Sequence, residues 1–254
     1  MSRDWHIEAE IAAATHIGVV RGENQDVVLV DGCASAGPIA NWSRSSVDLS
    51  TPLAVAVVDG MGGHRGGSMA AWLVARVLAD GLPRIADGAA ARALAGTAHA
   101  TVRRAGEGLG TPEMGAAAAA MVLSADGFTA MNVGDCRVHR VVDGYLGQLS
   151  VDDAVPDHRV PGRTMLTSAL GGGEQPPVDA HWYAESWAPG FHRFLLVSDG
   201  VLPAGEALAA RAGEDRMPTQ VAAGVIDDAL SAGPPDNVSV IVIDVQVRRV
   251  GEPE

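Results

Sequence analysis

Short apolar runs, separated by glycine, aspartate and proline, recur along almost the whole chain of 254 residues. Runs of this length between turn-forming residues are typical of β-strands, because helices need longer periodic stretches. The pattern predicts strands at residues 7–14, 27–30, 53–58, 128–133, 138–142, 194–197 and 238–247. Several of these runs are apolar at every position, so we expect both of their faces to be buried.

One further segment combines two conflicting local signals. Residues 115–120 are a glycine and five alanines, a composition with high helix propensity. They lead directly into Met121-Val122-Leu123, and Asp126-Gly127 is then a two-residue hairpin signal. We predict a strand here, because the apolar run and the hairpin signal agree.

Three segments show the periodicity or the end signals of helices. They span residues 68–80, 89–104 and 218–232. Gly81 ends the first helix, two arginines favour the C-terminus of the second, and Pro218 begins the third. The first helix is predicted to bury one stripe of side chains, namely Met69, Trp72, Leu73 and Val77.

Two long stretches, residues 31–52 and 152–163, show neither period. The stretch at residues 31–52 is predicted to be a polar loop that includes Trp42. Loops of this length are either functional or mobile, or they are surface insertions, and the sequence leaves these alternatives open. No segment repeats with a period of 20–50 residues, and no linker divides the chain, so we predict a single domain.

The composition is that of a folded, acidic protein. Hydrophobic residues make up 47% of the chain, and 31 acidic against 18 basic residues give a net charge of −13. Every basic residue is an arginine, and the arginines form no cluster. Such a chain is repelled by nucleic-acid phosphates and by anionic lipid surfaces, so we expect neither as a partner.

The cysteine content and the N-terminal residues indicate a cytoplasmic protein. Cys33 and Cys136 are too few for a disulfide framework; one bridge is an alternative to the default of two reduced thiols. The N-terminal residues lack an apolar signal core, and no apolar run reaches the ~18 residues that a membrane span needs. We therefore expect a cytoplasmic location without membrane association.

Four aspartates stand at the ends of predicted strands. Asp59 and Asp199 each follow a fully apolar strand and precede a glycine, whereas Asp135 follows a strand and Asp236 precedes one. A single Asp-Gly pair is either a strand-ending turn or a cation ligand. Four such carboxylates without a Cys/His cluster favour a hard cation, Mg²⁺ or Mn²⁺, over Zn²⁺, provided that the fold brings them together.

Two neighbouring segments could contact a phosphate. Five glycines within residues 60–67 would let the backbone approach an ion or a phosphate closely. Arg21 offers a planar guanidinium that matches two phosphate oxygens. The alternative for Arg21 is a surface ion pair with Glu23 or Asp26, and this segment alone does not decide between the two.

Taken in order, six segments resemble the metal-dependent PPM/PP2C family of serine/threonine phosphatases in its compact bacterial form. The segments are Gly18-x-x-Arg21-x-x-Asn24-Gln25-Asp26, Val58-Asp59-Gly60-Met61-Gly62-Gly63-His64, Asn132-Val133-Gly134-Asp135-Cys136-Arg137, Leu166-Thr167-Ser168-Ala169-Leu170-Gly171, Leu196-Val197-Ser198-Asp199-Gly200 and Asp236-Asn237-Val238-Ser239-Val240. The resemblance implies one phosphatase domain over residues 1–254, with its core at about 10–245. It also implies an α+β fold, a four-layer α/β/β/α sandwich of two antiparallel sheets flanked by helices, with a metal site at one edge.

The resemblance assigns metal ligands residue by residue. Asp59 would bridge two Mn²⁺ or Mg²⁺ ions, and the Gly60 carbonyl would bind one of them. Asp199 and Asp236 would hold the other ion. Asp135 would, with Asp199, hold a third and weaker ion.

The resemblance further implies a catalytic role for Asp59 and Arg21, with Arg21 binding the substrate phosphate. Three further residues would contact the metal ligands rather than bind the ions directly, namely Asp26, Gln25 and Asn237. A water activated by two cations would attack phosphorus in line, without a phosphoenzyme.

Several positions depart from the family pattern. Gln25 stands where Glu is common, which removes one charge near the metals. Met61 replaces a His that is a proposed acid for the leaving group in animal members; His64 could substitute or be structural, and a metal-bound water is the preferred acid. Cys136 replaces a Ser and is expected to be a buried packing residue. The flap at about 152–164 is shortened, which should leave the site more open.

The function implied is hydrolysis of phosphoserine and phosphothreonine in proteins, reversing a bacterial Ser/Thr kinase. One alternative is a dedicated regulator that acts on a single phosphoprotein of an anti-sigma pathway or a secretion system. A pseudophosphatase that only binds phosphoproteins is a further alternative, disfavoured by the complete carboxylate set. We expect phosphorylated proteins and a cognate kinase as partners, and a monomeric state.

Overall fold

A computed structural model of the chain describes residues 5–37, 39–49, 51–61, 64–158, 164–172, 178–233 and 236–249. Its strands are β1 (Trp5–His16), β2 (Val27–Val30), β3 (Cys33–Ser35), β4 (Ile39–Asp48), β5 (Leu53–Met61), β6 (Gly115–Ser124), β7 (Gly127–Val133), β8 (Arg137–Val142), β9 (Tyr145–Gln148), β10 (Ala154–Pro156), β11 (Thr164–Leu166), β12 (Leu170–Gly171), β13 (His181–Ser186), β14 (Gly190–Val197) and β15 (Val238–Arg249). Its α-helices are α1 (His64–Gly81), α2 (Gly88–Leu109), α3 (Gly205–Ala212) and α4 (Pro218–Ser231). Two 3₁₀ segments are described at Leu82–Arg84 and Asp199–Ala204.

The strands form two large antiparallel sheets and one small ribbon. The six-stranded sheet has the order β4-β1-β15-β14-β8-β9, and the seven-stranded sheet has the order β13-β7-β6-β5-β2-β3, with β12 beside β6. β10 and β11 pair only with each other among the described strands. We call this pair the β10–β11 ribbon.

Alternating side chains explain why the sheets stack into four layers. In β5, the residues that face the six-stranded sheet are Leu53, Val55 and Val57. The residues that face α1 and α2 are Ala54, Ala56 and Val58. β15 buries its two faces in the same way, against the seven-stranded sheet and against α3 and α4. A strand that is apolar on both faces fits only inside such a sandwich, and the predicted α/β/β/α fold is confirmed.

The alanine-rich segment forms a central strand, as predicted. β6 pairs with β5 on one side and with β7 on the other, and its residues are buried from Gly115 to Leu123. Hydrogen bonds on both edges and burial of both faces outweigh the modest helix preference of alanine. The small side chains also let α1 and α2 pack closely on this strand.

The prediction of a polar loop over residues 31–52 is wrong. β3 and β4 occupy most of this segment, and β4 pairs along the free edge of β1. An edge strand gains its hydrogen bonds from one neighbour and need not show an apolar alternation, so the sequence gives little signal. The stretch at 152–163 likewise includes β10, which pairs with β11, and β9, β13 and α3 were not predicted either.

The predicted buried stripe of α1 is wrong for two of its four residues. Met69 and Trp72 are each 44% exposed, and Leu73 and Val77 are partly buried. The buried face consists instead of Ala70, Ala71, Val74, Ala75 and Leu78. Three of these five residues are alanines, so this face packs closely on the alanines of β5 and β6.

Two other expectations can be compared with the described residues. Both cysteines are free thiols, Cys33 exposed and Cys136 buried. Among the helices that the structure describes, none combines the length and the apolar character needed to cross a membrane.

Candidate metal centre

The strand register places the predicted aspartates at one end of the sandwich. Val197 pairs with Val240, so Asp199 after β14 lies beside Asp236 before β15. In the other sheet, β6 pairs Ala118 with both Val58 and Val133, so the ends of β5 and β7 are neighbours across it. Asp59 and Asp135 are therefore brought to the same edge, and stacking of the sheets faces them toward Asp199 and Asp236.

Electrostatic coupling shows that these carboxylates share one region. Burial raises the pKa of Asp59 well above its usual range, and the charges of Asp26, Asp199, Asp236 and Asp135 raise it further. Burial and the neighbouring aspartates raise the pKa of Asp199 to about 7. Burial also raises the pKa of Asp135. Several buried carboxylates that repel one another when ionised form a site suited to cations, since a bound cation offsets the repulsion between their negative charges.

Asp26 is a buried member of this cluster that is held by two serine hydroxyls. The Ser198 and Ser239 hydroxyls donate to its Oδ2 at 2.8 and 2.6 Å. Burial nevertheless raises the pKa of Asp26 to about 6. Sequence analysis missed both serines, although an isolated serine inside the apolar β15 is a signal, because a buried hydroxyl needs a partner.

The donor set fits divalent cations. Oδ1 of Asp26 and Oδ1 of Asp199 are buried without a hydrogen-bond donor among the described residues, and either a proton shared with the neighbouring Asp59 carboxyl or a bound cation would satisfy them. Orphaned carboxylate oxygens are the ligands that Mg²⁺ and Mn²⁺ prefer. Within the described part of the chain, no three His, Cys, Asp or Glu side chains are already arranged as a metal-binding set.

Arg21 reaches this centre from the loop between β1 and β2. Its Nη2 donates to Asp236 Oδ2, and about half of its side chain is exposed. The hydrogen bond from Arg21 to Asp236 is the main reason why the pKa of the guanidinium is raised. Glu23, one of the two alternative partners, instead accepts a hydrogen bond of 2.6 Å from the Ser68 hydroxyl. The geometry thus places an exposed guanidinium edge beside the carboxylates.

Asn237 fixes the position of this loop. Its side chain donates to the carbonyls of Ile17 and Glu23 at 2.8 and 3.0 Å, and it accepts from the Gln25 amide at 2.8 Å. Gly18 has φ +82°, and a Cβ there would lie 2.2 Å from the Asp236 carbonyl. Close backbone contact and three side-chain bonds therefore hold Arg21 next to β15.

Gln25 and Gly60 both lie against the first turn of α1. Gln25 packs against the first turn of α1, since a Cβ on Gly67 would lie 2.5 Å from Gln25 Oε1. Gly60 approaches the same turn, with a Cβ position 2.2 Å from the Gly67 carbonyl. His64 begins α1, but its side chain and residues 62–63 lie outside the described part of the chain.

Gly200 offers a test of how tightly Asp199 and Asp236 are held together. A Cβ on Gly200 would lie 1.9 Å from the Asn237 carbonyl. Gly200→Ala should therefore separate the two turns, destabilise the fold by about 1–3 kcal/mol and weaken Mn²⁺ binding. Denaturant unfolding and Mn²⁺ titration measure both effects. Gly96→Ala, at an exposed helical site with open space, is the control and should be neutral or stabilising; equal behaviour of the two variants would contradict the packing.

Comparison with known proteins identifies the family. The sequence model of protein phosphatase 2C matches residues 41–223. The serine/threonine protein phosphatase PstP of Mycobacterium tuberculosis is 29% identical over 214 residues, which cover 75% of this chain and 40% of PstP. The chain thus spans about two fifths of the length of this curated relative.

Solved structures agree with this match. The catalytic domain of PstP in complex with 2 manganese ions has a TM-score of 0.70 and 26% identity, and the match covers 94% of this chain and 99% of that domain. PppA, a key regulatory component of T6SS in Pseudomonas aeruginosa, has a TM-score of 0.74 and 24% identity over 96% of this chain and all of PppA; it shows the shared fold alone. The layered fold agrees with the sequence match. This chain belongs to the protein phosphatase 2C family.

Proposed function

We propose that this chain hydrolyses phosphoserine and phosphothreonine esters in proteins with the help of two divalent cations. One observation carries the proposal: buried aspartates from both sheets are coupled at one edge, and two of their oxygens lack partners. Family membership and the likeness to PstP support the same reaction.

The residues divide into cation ligands and a phosphate ligand. We propose that Asp59 would contribute to holding both ions, that the Gly60 carbonyl would help to hold one of them, and that Asp199 and Asp236 would help to hold the other. The bound cations would supply Lewis acidity and a water of lowered pKa. Arg21, half exposed beside Asp236, would bind the phosphoryl oxygens and stabilise their charge.

The described residues argue against a cysteine nucleophile. Cys136 is the cysteine nearest to the carboxylates in sequence, and it is fully buried in the core between the sheets. Burial, followed by the charges of Asp59 and Asp135, raises the pKa of its thiol well above the usual range. A thiolate is therefore not available there, and direct attack by water on phosphorus remains the route that we propose.

The finer parts of the proposal concern the ions and the partners. We propose Mn²⁺ or Mg²⁺ as the ions, and a third, weaker ion at Asp135 and Asp199. Phosphorylated proteins would be the substrates, with a cognate Ser/Thr kinase as the opposing enzyme. The two free thiols fit a reducing cytoplasm, and we propose that residues 1–254 act as one monomeric catalytic domain.

Metal dependence is the direct test. With Mn²⁺, the protein should hydrolyse both p-nitrophenyl phosphate and a phosphothreonine peptide; EDTA should abolish turnover, and added Mn²⁺ should restore it. In the control, the protein receives EDTA that has already been saturated with Mn²⁺ and therefore cannot remove the metal. Turnover that persists after metal removal, or none with either Mn²⁺ or Mg²⁺, would overturn the proposal and favour a phosphoprotein-binding role.

A further inference from the structure

The turn that carries Asp135 is held from outside its own sheet. The Gly134 amide donates to Asp153 Oδ2 at 2.9 Å, and the Asp153 amide donates back to the Gly134 carbonyl at 2.9 Å. Gly134 has φ +91°, and a Cβ there would lie 2.5 Å from the Ala117 side chain. The turn thus requires glycine, which has the greatest conformational freedom, and it depends on outside bonds for a fixed geometry.

Asp153 joins this turn to two other segments. Its second carboxylate oxygen, Oδ1, lies 2.8 Å from Nε2 of His181 on the edge strand β13. Its carbonyl accepts from the Thr167 amide at 2.8 Å, directly after the β10–β11 ribbon. Only 15% of the Asp153 side chain is exposed, so water competes little for these bonds.

The segment before Asp153 is itself fixed. The Asn132 side chain donates to the Val151 carbonyl at 2.7 Å and accepts from the Val151 amide at 3.1 Å. Arg137 donates to both oxygens of Asp152. The backbone at Asp153 is therefore anchored on both sides of the turn, and its carboxylate acts on Gly134 from a defined position.

We infer that Asp153 is a positioning residue that, through the Gly134 amide, directs the adjacent Asp135 carboxylate toward the cation centre. The inference rests on the proposed function, because it assigns Asp135 to the weaker cation site. Asp135 is buried and its charge contributes to the shifts at Asp59 and Asp199, so a small rotation of the turn would change the distance of this ligand from the centre. Supporting residues of this kind typically alter metal affinity by about 10–100-fold.

Four variants test this in the full chain. Calorimetric titration with Mn²⁺ should show that Asp153→Ala weakens the weakest site about 10-fold and leaves the tighter sites unchanged. Asp153→Asn keeps an oxygen for the Gly134 amide and should stay within about 3-fold of the wild type. His181→Ala removes only the lateral bond and should give an intermediate loss. In an Asp135→Asn background, Asp153→Ala should cause no further loss, since both changes act on the same ligand.

Asp228→Ala is the matched control. Asp228 lies on α4 and pairs with Arg211 at 2.7 Å, so this variant loses a comparable ion pair away from the cation centre. It should lower the melting temperature without changing Mn²⁺ binding. If Asp153→Ala behaves in the same way, Asp153 is merely structural and the inference is overturned.

The remaining outcomes separate the inference from the proposed function. An equal further loss of Mn²⁺ affinity on adding Asp153→Ala to Asp135→Asn would overturn the inference, because the two residues would then act independently. If Asp153→Ala does not fold, the His181→Ala variant decides. Mn²⁺ affinity equal to that of the wild type would then overturn the inference, and a weakened third site would support it. A wild-type protein that neither binds Mn²⁺ nor hydrolyses p-nitrophenyl phosphate would overturn the proposed function itself.

Discussion

Asp59→Asn is expected to lower kcat for p-nitrophenyl phosphate by about 10³-fold, or ~4 kcal/mol of transition-state stabilisation. The charges of four neighbouring aspartates, together with burial, raise the pKa of Asp59. As the proposed bridge between two cations, it is the ligand whose loss affects both ions at once. Steady-state kinetics over a range of Mn²⁺ concentrations measures the effect, because excess metal should not restore the rate.

The same substitution should stabilise the metal-free protein. A buried charge among like charges costs free energy, and asparagine removes that charge while keeping nearly the same volume. In EDTA at pH 8 the variant should melt a few degrees above the wild type, whereas Mn²⁺ should stabilise the wild type far more than the variant. Asp228→Asn is the control, with a lower melting temperature and normal turnover. Turnover within tenfold of the wild type would remove Asp59 from the proposed mechanism.

Between pH 5 and pH 8, the metal-free protein should lose stability as the pH rises. The pKa of Asp26 is raised to about 6 and that of Asp199 to about 7, chiefly by burial. Such groups hold protons more tightly in the folded chain than in the unfolded one, where their pKa is near 3.8. Their stabilising protonation is complete at low pH and is lost as the pH passes 6 to 7.

The expected effect is large. One pKa unit corresponds to about 1.4 kcal/mol. Deprotonation of Asp26 and Asp199, whose pKa values are each raised by more than one unit, therefore lowers the free energy of unfolding by several kcal/mol.

His139 opposes this trend, because burial lowers its pKa to about 4 and stability therefore rises with pH between 5 and about 6.5 on its account. The net fall in melting temperature is then about 5 °C for a chain of this size. Glu185 and Asp228, whose pKa values are lowered by hydrogen bonds from Tyr183 and Arg211 respectively, also oppose the trend but only at lower pH.

Calorimetry in EDTA at pH 5, 6, 7 and 8 measures this slope, and Mn²⁺ supplies the comparison. Cations bind the deprotonated carboxylates, so added Mn²⁺ should stabilise the protein most at pH 8 and reverse the trend. Asp199→Asn removes one of the shifted groups and should flatten the slope in EDTA. A metal-free melting temperature that rises from pH 5 to pH 8 would contradict the coupling of these carboxylates.

The parts of the fold that could be predicted from sequence are those with a strong local signal. Runs that are apolar at every position, such as residues 53–58, can be stable only when both faces are covered, and they are central strands in the structure. The position of the aspartates at the edge of the sandwich could be predicted for the same reason, because the residue that follows a buried strand lies at the edge of its sheet. The motif order from Arg21 to Asp236 then indicated the family, and the family match bears this out.

Other features could not be predicted because they depend on contacts between distant residues. β4 is a strand because β1 offers it a free edge, and α1 turns its alanines inward because the alanines of β5 and β6 allow close packing. Neither preference exists in the segment alone.

The chain by itself therefore determined the buried strands, the acidic residues at their ends and the family to which they belong. Only the tertiary structure decided which side chains meet. Arg21 and Asp236 are 215 residues apart and pair across the loop that Asn237 holds, and Asp153 lies beside Gly134 because the chain returns there after β9. Periodicity reports which face of a segment is buried, but the partner on that face is set by packing of the whole sandwich.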